Sequence, residues 1–374
     1  MTSLQSAYPW TQSPLIVSAP MRLISTAALA VAVSRAGGLG FLAGGTDTST
    51  LATSLRHARE LLEKGPIANA SISPLPIGVG VITWALKVED LVEALRENPP
   101  AAIWLFAPPS SSPSSSSNSS SNPSSLAHWT SVLRASIQPA PQIIMQVGSL
   151  STALHAAHTC APDALVLQGT DAGGHGLARG ASIVSLVPEV HDALAAAELS
   201  IPLIATGGIA DHRGVAAALA LGAQGAAMGT AFLVAEEAAV AKGYRETVLH
   251  ARDGGQSTVR TSVYDRLRGT VWPESYNARG VINASFEDAE RGVDEAETRR
   301  LYAEAMRRGD EGWLGWEEDK KRKEGRVAAY AGTGVGLVRG GIVPARTIVE
   351  RARGGVREVL EGAVAGAVVR GNKL

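Results

Sequence analysis

Eight short apolar runs, each followed by a stretch with helical spacing, constrain this chain more than any other feature of its sequence. The runs cover residues 14–19, 39–43, 76–82, 101–106, 142–147, 164–168, 202–206 and 225–233. Several lack polar alternation, the pattern of parallel strands buried on both faces. Helical patterns follow at 26–35, 51–64, 88–97, 126–135, 151–158, 182–197 and 214–221, with a further helix expected from Glu236. The first ends at Gly37-Gly38 and the second at Gly65-Pro66, both stop signals. Strict β-then-α alternation means a parallel sheet. Eight repeats favour closure over an open sheet, so the expected fold class is α/β, a (β/α)8 TIM barrel.

A barrel of this kind takes about 250 residues, and the chain has 374. The expected division is a barrel over 1–240, a charged helical, lid-like excursion over 241–331, and a segment over 332–374 that docks back on the barrel. The charge concentrates at 287–326, read as a solvated helical excursion. Helical spacing returns at 342–360. Residues 110–125 are almost pure Ser, Pro and Asn; they cannot bury a core and are expected to be a disordered insertion after the fourth strand.

Net charge is -1, which argues against a nucleic-acid partner. Cys160 is the only cysteine, so no intramolecular disulfide and no thiolate metal site can form. No signal pattern opens the chain and no apolar run spans a bilayer, so a cytoplasmic location is expected. Asn372-Lys373-Leu374 differs from a Ser-Lys-Leu peroxisomal address at its first residue and is read as chance.

The glycine-rich segments carry the chemistry. Gly38-Leu39-Gly40-Phe41-Leu42-Ala43 fits a dinucleotide fingerprint, but a helix precedes it and a strand runs through it, the reverse of what that site needs. Gly207-Gly208 closes the seventh run, and Met228-Gly229-Thr230 sits at the expected end of the eighth strand. Glycine lets backbone N–H groups approach phosphate oxygens, and barrel phosphate sites form after these two strands. Gln168 to Gly176 begins where the sixth strand ends and surrounds His175 with small residues, the setting of a site histidine. His155, His158 and Cys160 read as the exposed end of a helix, not a metal site. Asp211-His212 could cap the seventh helix. Asp171 and His175 form no triad, because no G-x-S-x-G accompanies them. Trp272 and Tyr276 are candidates to roof the site, with core packing as the alternative.

At these residues the chain resembles the nitronate monooxygenases, formerly called 2-nitropropane dioxygenases. The resemblance runs over 14–233 and 332–350. Its motifs are Ala19-Pro20-Met21, Ala36 to Leu42, Gln168 to His175, Ala205 to Ile209 and Met228-Gly229-Thr230. It implies FMN, with Ala19, Pro20 and Met21 along the isoalloxazine and Gln146 hydrogen-bonding near the ring. Gly173, Gly174, Gly207, Gly208, Gly229 and Thr230 would take the phosphate end, with Met228 in the same strand end. His175 would face the flavin as base or electrostatic partner. The implied reaction takes an alkyl nitronate or nitroalkane and O2 to a carbonyl compound and nitrite, with no metal. Gly80 departs from the pattern, since the family commonly has Asn at the end of the third strand.

Two other functions compete. One is a related flavin barrel that reduces enoyl thioesters with NAD(P)H; the other is a catalytically silent flavin-binding scaffold. The expected partners are a small-molecule substrate and O2, with a homodimer left open.

Overall fold

The computed structural model describes residues 4–107, 125–313, 315–316 and 322–371. The Ser-rich segment, apart from Ser125, and the C-terminal tripeptide lie outside the described residues. Eleven strands bear on the site: β1 (Leu15–Ser18), β2 (Leu39–Gly45), β3 (Leu75–Ile82), β4 (Pro100–Phe106), β5 (Gln142–Val147), β6 (Ala164–Gln168), β7 (Gly174–Leu177), β8 (Leu203–Thr206), β9 (Gly225–Met228), β10 (Thr258–Thr261) and β11 (Tyr276–Val281). All but β7, β10 and β11 pair in parallel and close into a barrel, with β9 returning to β1. Helices separate the barrel strands, which makes this a (β/α)8 TIM barrel.

The strand residues alternate between two buried layers. Val17, Leu39, Phe41, Trp104, Ile144, Val166 and Ile204 point into the barrel. Ile16, Leu42, Ile103, Ile143, Leu165 and Leu203 pack outward against helices. This double burial is why the strands read as continuous apolar runs. Leu4 and Tyr8 join the inner cluster beside Leu15 and Leu39, at the strand starts, so the active end must be the other one.

Gly40 explains the dinucleotide-like spacing. A Cβ there would lie 1.9 Å from the carbonyl oxygen of Ala30, so the glycine admits the helix Ala27–Arg35 against β2. At Gly40 the pattern serves packing.

Three readings need correction. The eighth barrel strand stops at Met228, and a 3-10 turn, Thr230–Val234, follows it. No helix starts at Glu236; the next one is Lys242–His250. The intervening chain is held instead by the C-terminal segment, with the Glu236 N–H donating to Val343 O (3.0 Å) and the Ala345 N–H to Glu237 Oε2 (2.8 Å). The charged stretch is not simply solvated. Its helix Glu295–Arg307 sets an Arg–Glu ladder toward water, but buries Thr298, Tyr302 and Ala305. Tyr302 and Ala305 join Val263, Tyr264, Leu267, Val327 and Ala328 in a second, smaller core.

The antiparallel sheet β10-β11-β7 lies beyond the barrel. It pairs Gly174 with Arg279 and His175 with Ala278, so the loop after β6 is tied to chain a hundred residues downstream. The helix Ala345–Gly354 packs on Ala27–Arg35 and His212–Ala220. Among the described residues no helix is long and apolar enough to cross a membrane.

Candidate active site

A cavity of about 570 Å³ opens at the C-terminal ends of the barrel strands. Its floor is made of inward-facing positions near the ends of successive strands, including Gly80, Trp104, Gln146, Gln168, Thr206 and Ala227. The polar members are already oriented. Trp104 Nε1 donates to Gln146 Oε1 at 2.8 Å, which leaves the Gln146 amide N–H groups as donors. Gln168 Nε2 donates to the His175 carbonyl at 2.9 Å, and Thr206 Oγ1 to the Ala227 carbonyl at 3.0 Å.

Ala19, Pro20 and Met21 form one wall. Ser25 fixes them: its hydroxyl donates to Ala19 O (3.0 Å) and accepts from the Met21 N–H (2.9 Å), while the Ala19 N–H bonds to Met228 O (2.9 Å). The Pro20 ring fills the space a side chain at position 80 would need, with Cβ and Cγ 2.3 Å from where a Cβ would stand.

The glycine rim begins beside this wall, where a Cβ on Gly229 would lie 3.8 Å from Ala19 Cβ and Met21 Sδ. Gly207 and Gly208 take φ values of +116° and +74°, a backbone open to glycine and strained for other residues. Their N–H groups, and those of Gly173, Gly229 and Thr230, donate to no acceptor among the described residues. The N-terminal ends of the helix His212–Ala220, capped by Asp211, and of the 3-10 turn Thr230–Val234 follow directly. Unpaired N–H groups and helix starts together make an anion cradle. Thr230 Oγ1 accepts from the Gly332 N–H at 3.0 Å, so its own O–H is left to donate. Met228 stands apart from the other expected site residues. It is buried among the residues between barrel and helices and does not line the cavity.

His175 lies on the cavity wall, on β7. Its ring stacks on Trp272 at 3.8 Å between centroids and 11° between planes. Its Nε2 is 2.9 Å from Asp265 Oδ1, and Thr270 Oγ1 donates to the same oxygen at 3.2 Å. A carboxylate only accepts, so this contact places the proton on Nε2 and leaves the lone pair of the neutral ring on Nδ1. Tyr330 approaches at 5.5 Å, and Arg268 donates to its hydroxyl at 3.3 Å. Burial pushes the Tyr330 and Tyr276 phenols up to about 12, so both stay neutral donors at neutral pH.

The residues that sequence reasoning missed are Asp265, Thr270, Arg268 and Tyr330. Asp265 is 90 positions from His175, on the short helix Val263–Arg268, with no motif around it. Trp272 does roof the site, and Tyr276 packs on it and on Phe106. His155, His158 and Cys160 lie on the helix Leu150–Cys160, with no acidic partner joining them in a metal-type cluster among the described residues.

These features define a class: a β/α barrel that presents an anion cradle and a histidine–aspartate pair to one cavity. Comparison with known proteins narrows it. Residues 8–76 and 134–305 match the family model described as nitronate monooxygenase. Nitronate monooxygenase npaC of Metarhizium robertsii is 45% identical over 367 residues, covering 97% of this chain and 96% of that protein. A nitronate monooxygenase of Neurospora crassa is 38% identical over 355 residues, covering 91% and 88%. The chain belongs to the nitronate monooxygenase family, a family of flavin-dependent oxidoreductases. FabK of Thermotoga maritima shares its fold, with a TM-score of 0.70 at 24% identity over 97% of this chain and 98% of that one. So does nitroalkane oxidase from Streptomyces ansochromogenes, with a TM-score of 0.68 at 23% identity over 96% and 99%.

Proposed function

We propose that the enzyme binds FMN and oxidises alkyl nitronates, or the nitroalkanes that yield them, with O2 to a carbonyl compound and nitrite. One observation carries this reading: His175 is held by Asp265 and Trp272 on the wall of the same cavity that the glycine rim lines. The rim suits a phosphate, because its N–H groups have no acceptor among the described residues. Gly207, Gly208, Gly229, Thr230 and Gly173 would hold that phosphate. Ala19, Pro20 and Met21 would lie along the ring system, and the Gln146 amide would donate to its acceptor edge. FMN supplies the one-electron chemistry that joins substrate oxidation to O2.

The chain's own residues handle charge and protons. A nitroalkane α-proton is acidic because the nitro group takes up the carbanion charge. His175 Nδ1 accepts that proton, and the imidazolium formed is stabilised by Asp265 at Nε2. A nitronate that arrives ionised needs no base and meets His175 as an electrostatic partner. The aromatic wall of Trp272, Tyr302 and Trp313 suits an alkyl chain and excludes water.

The test begins with colour. The purified protein should show a flavin spectrum, and mass analysis of the released chromophore should give FMN. It should release nitrite from a nitronate in air without NAD(P)H. A preparation that stays colourless with excess FMN, or one bleached rapidly by NAD(P)H without nitrite release, defeats the reading.

Asp265→Asn should lower kcat on a nitroalkane by about tenfold to a hundredfold with KM little changed. The amide can turn its N–H groups toward Nε2, and the tautomer is then no longer fixed. Steady-state nitrite release on the flavin-loaded variant measures it; unchanged kcat would remove Asp265 from the mechanism.

A further inference from the structure

Two guanidiniums stand behind the loop that carries His175, and neither lines the cavity. Arg260 on β10 donates from Nη2 to Ala172 O at 3.0 Å and Thr170 O at 3.5 Å, and from Nη1 to Asn277 O at 3.0 Å. Its Nε is buried without a partner. Arg279, opposite it in the β10–β11 ladder, donates from Nε to Thr170 O at 3.2 Å. The carboxylate acting on both is Asp171, which accepts from Thr333 Oγ1 at 3.2 Å and forms no direct ion pair with either arginine. Two positive charges therefore face one negative charge, an excess of one positive.

The placement of that excess is informative. The residues after Ala172, Gly173 and Gly174, line the cavity, and a Cβ on Gly208 would lie 3.0 Å from Asp171 Cβ. The excess charge thus sits one backbone layer behind the glycine rim. The cavity's own guanidiniums lie elsewhere, Arg22 against Gly45 and Arg268 against Tyr330. Without the arginines, Asp171 would set a negative field at a site built for an anion.

We propose that Arg260 and Arg279 are the countercharge for the cofactor's phosphate, acting through the Thr170–Ala172 backbone to select a phosphorylated flavin over riboflavin. The inference rests on the FMN reading above. Burying like charges is costly, and a dianion across a thin layer of low dielectric offsets that cost. Burial, reinforced by Arg279, pushes the Arg260 guanidinium down to about 10, so it is still charged at neutral pH.

Titrating the full-length apoprotein with FMN and with riboflavin, by flavin fluorescence, tests this. Arg260→Gln is expected to raise the Kd for FMN about tenfold and to change that for riboflavin by less than about twofold. Arg260→Lys keeps the charge, loses the fork of hydrogen bonds, and should keep most of the preference for FMN. Equal weakening of both flavins by Arg260→Gln would make the arginine a loop clamp only and overturn the proposal. Arg279→Gln supplies the same measurement if Arg260→Gln does not fold. Wild-type protein that binds both flavins equally would overturn the countercharge and leave a flavin site standing. Binding of neither flavin would instead remove the cofactor reading beneath it.

Discussion

His175→Ala is expected to lower kcat/KM for a primary nitroalkane by about 10²- to 10⁴-fold, the range that a positioned general base supplies. The same variant should lose much less on the preformed nitronate, because that substrate has no α-proton to surrender. The ratio of the two losses reads the base role directly, whereas misfolding or cofactor loss would depress both alike. Asp265 complicates the variant. It is buried, and among the described residues its carboxylate would keep only the Thr270 hydroxyl after losing the imidazole. An under-satisfied buried carboxylate costs about 1–3 kcal/mol, so a lower Tm is expected alongside the kinetic loss. His175→Asn, which retains a donor toward Asp265, should recover stability without recovering proton abstraction. Turnover of nitroalkane and nitronate unaltered in the alanine variant would remove His175 from the chemistry.

The barrel was legible because its strands are buried on both faces. Runs such as Ile143-Ile144-Met145 and Ala164 to Leu167 have no solvent face to interrupt them, and helical spacing separates each run from the next. Limits were less legible where tertiary contact decides them. Phe232, Leu233 and Val234 extend the apolar run after β9, yet Gly229 ends the strand and the same residues pack as a 3-10 turn. The sheet β10-β11-β7 could not be read locally. Gly174-His175-Gly176 has no strand pattern and is extended only because β11 pairs with it. In the site, glycines marked the strand-end turns, because Gly207 and Gly208 take positive φ values that other residues rarely adopt. Asp265 left no such trace. A buried acid looks like any other acid in sequence, and its partner is set by how the post-barrel chain folds over the cavity. Met228 misled for the opposite reason: it adjoins Gly229 in sequence, but the alternation of β9 turns it to the outer layer.

Gly80→Asn, which installs the residue that the family resemblance leads one to expect late in the third strand, should damage this protein. The inner face of β3 offers Gly78 and Gly80, and both are hemmed in. A Cβ on Gly78 would stand 2.2 Å from Phe41 Cε1, and one on Gly80 would stand 2.3 Å from Pro20 Cβ and Cγ. Pro20 has little freedom to withdraw. Its ring is rigid, and its neighbours are pinned by Ser25 Oγ and by the Ala19 N–H bond to Met228 O. Overpacking against a fixed backbone costs about 1–3 kcal/mol. The displaced wall is the one assigned to the flavin ring, so the variant should show a lower Tm and a higher FMN Kd together. Pro20→Gly in the same chain removes both ring carbons that clash, Cβ and Cγ, and should restore most of both. The two substitutions should therefore couple strongly in a double-mutant cycle. Additive effects, or a Gly80→Asn protein that is as stable and binds FMN as tightly as the wild type, would mean that Pro20 moves aside freely. The glycine would then be no structural counterpart of the proline that faces it.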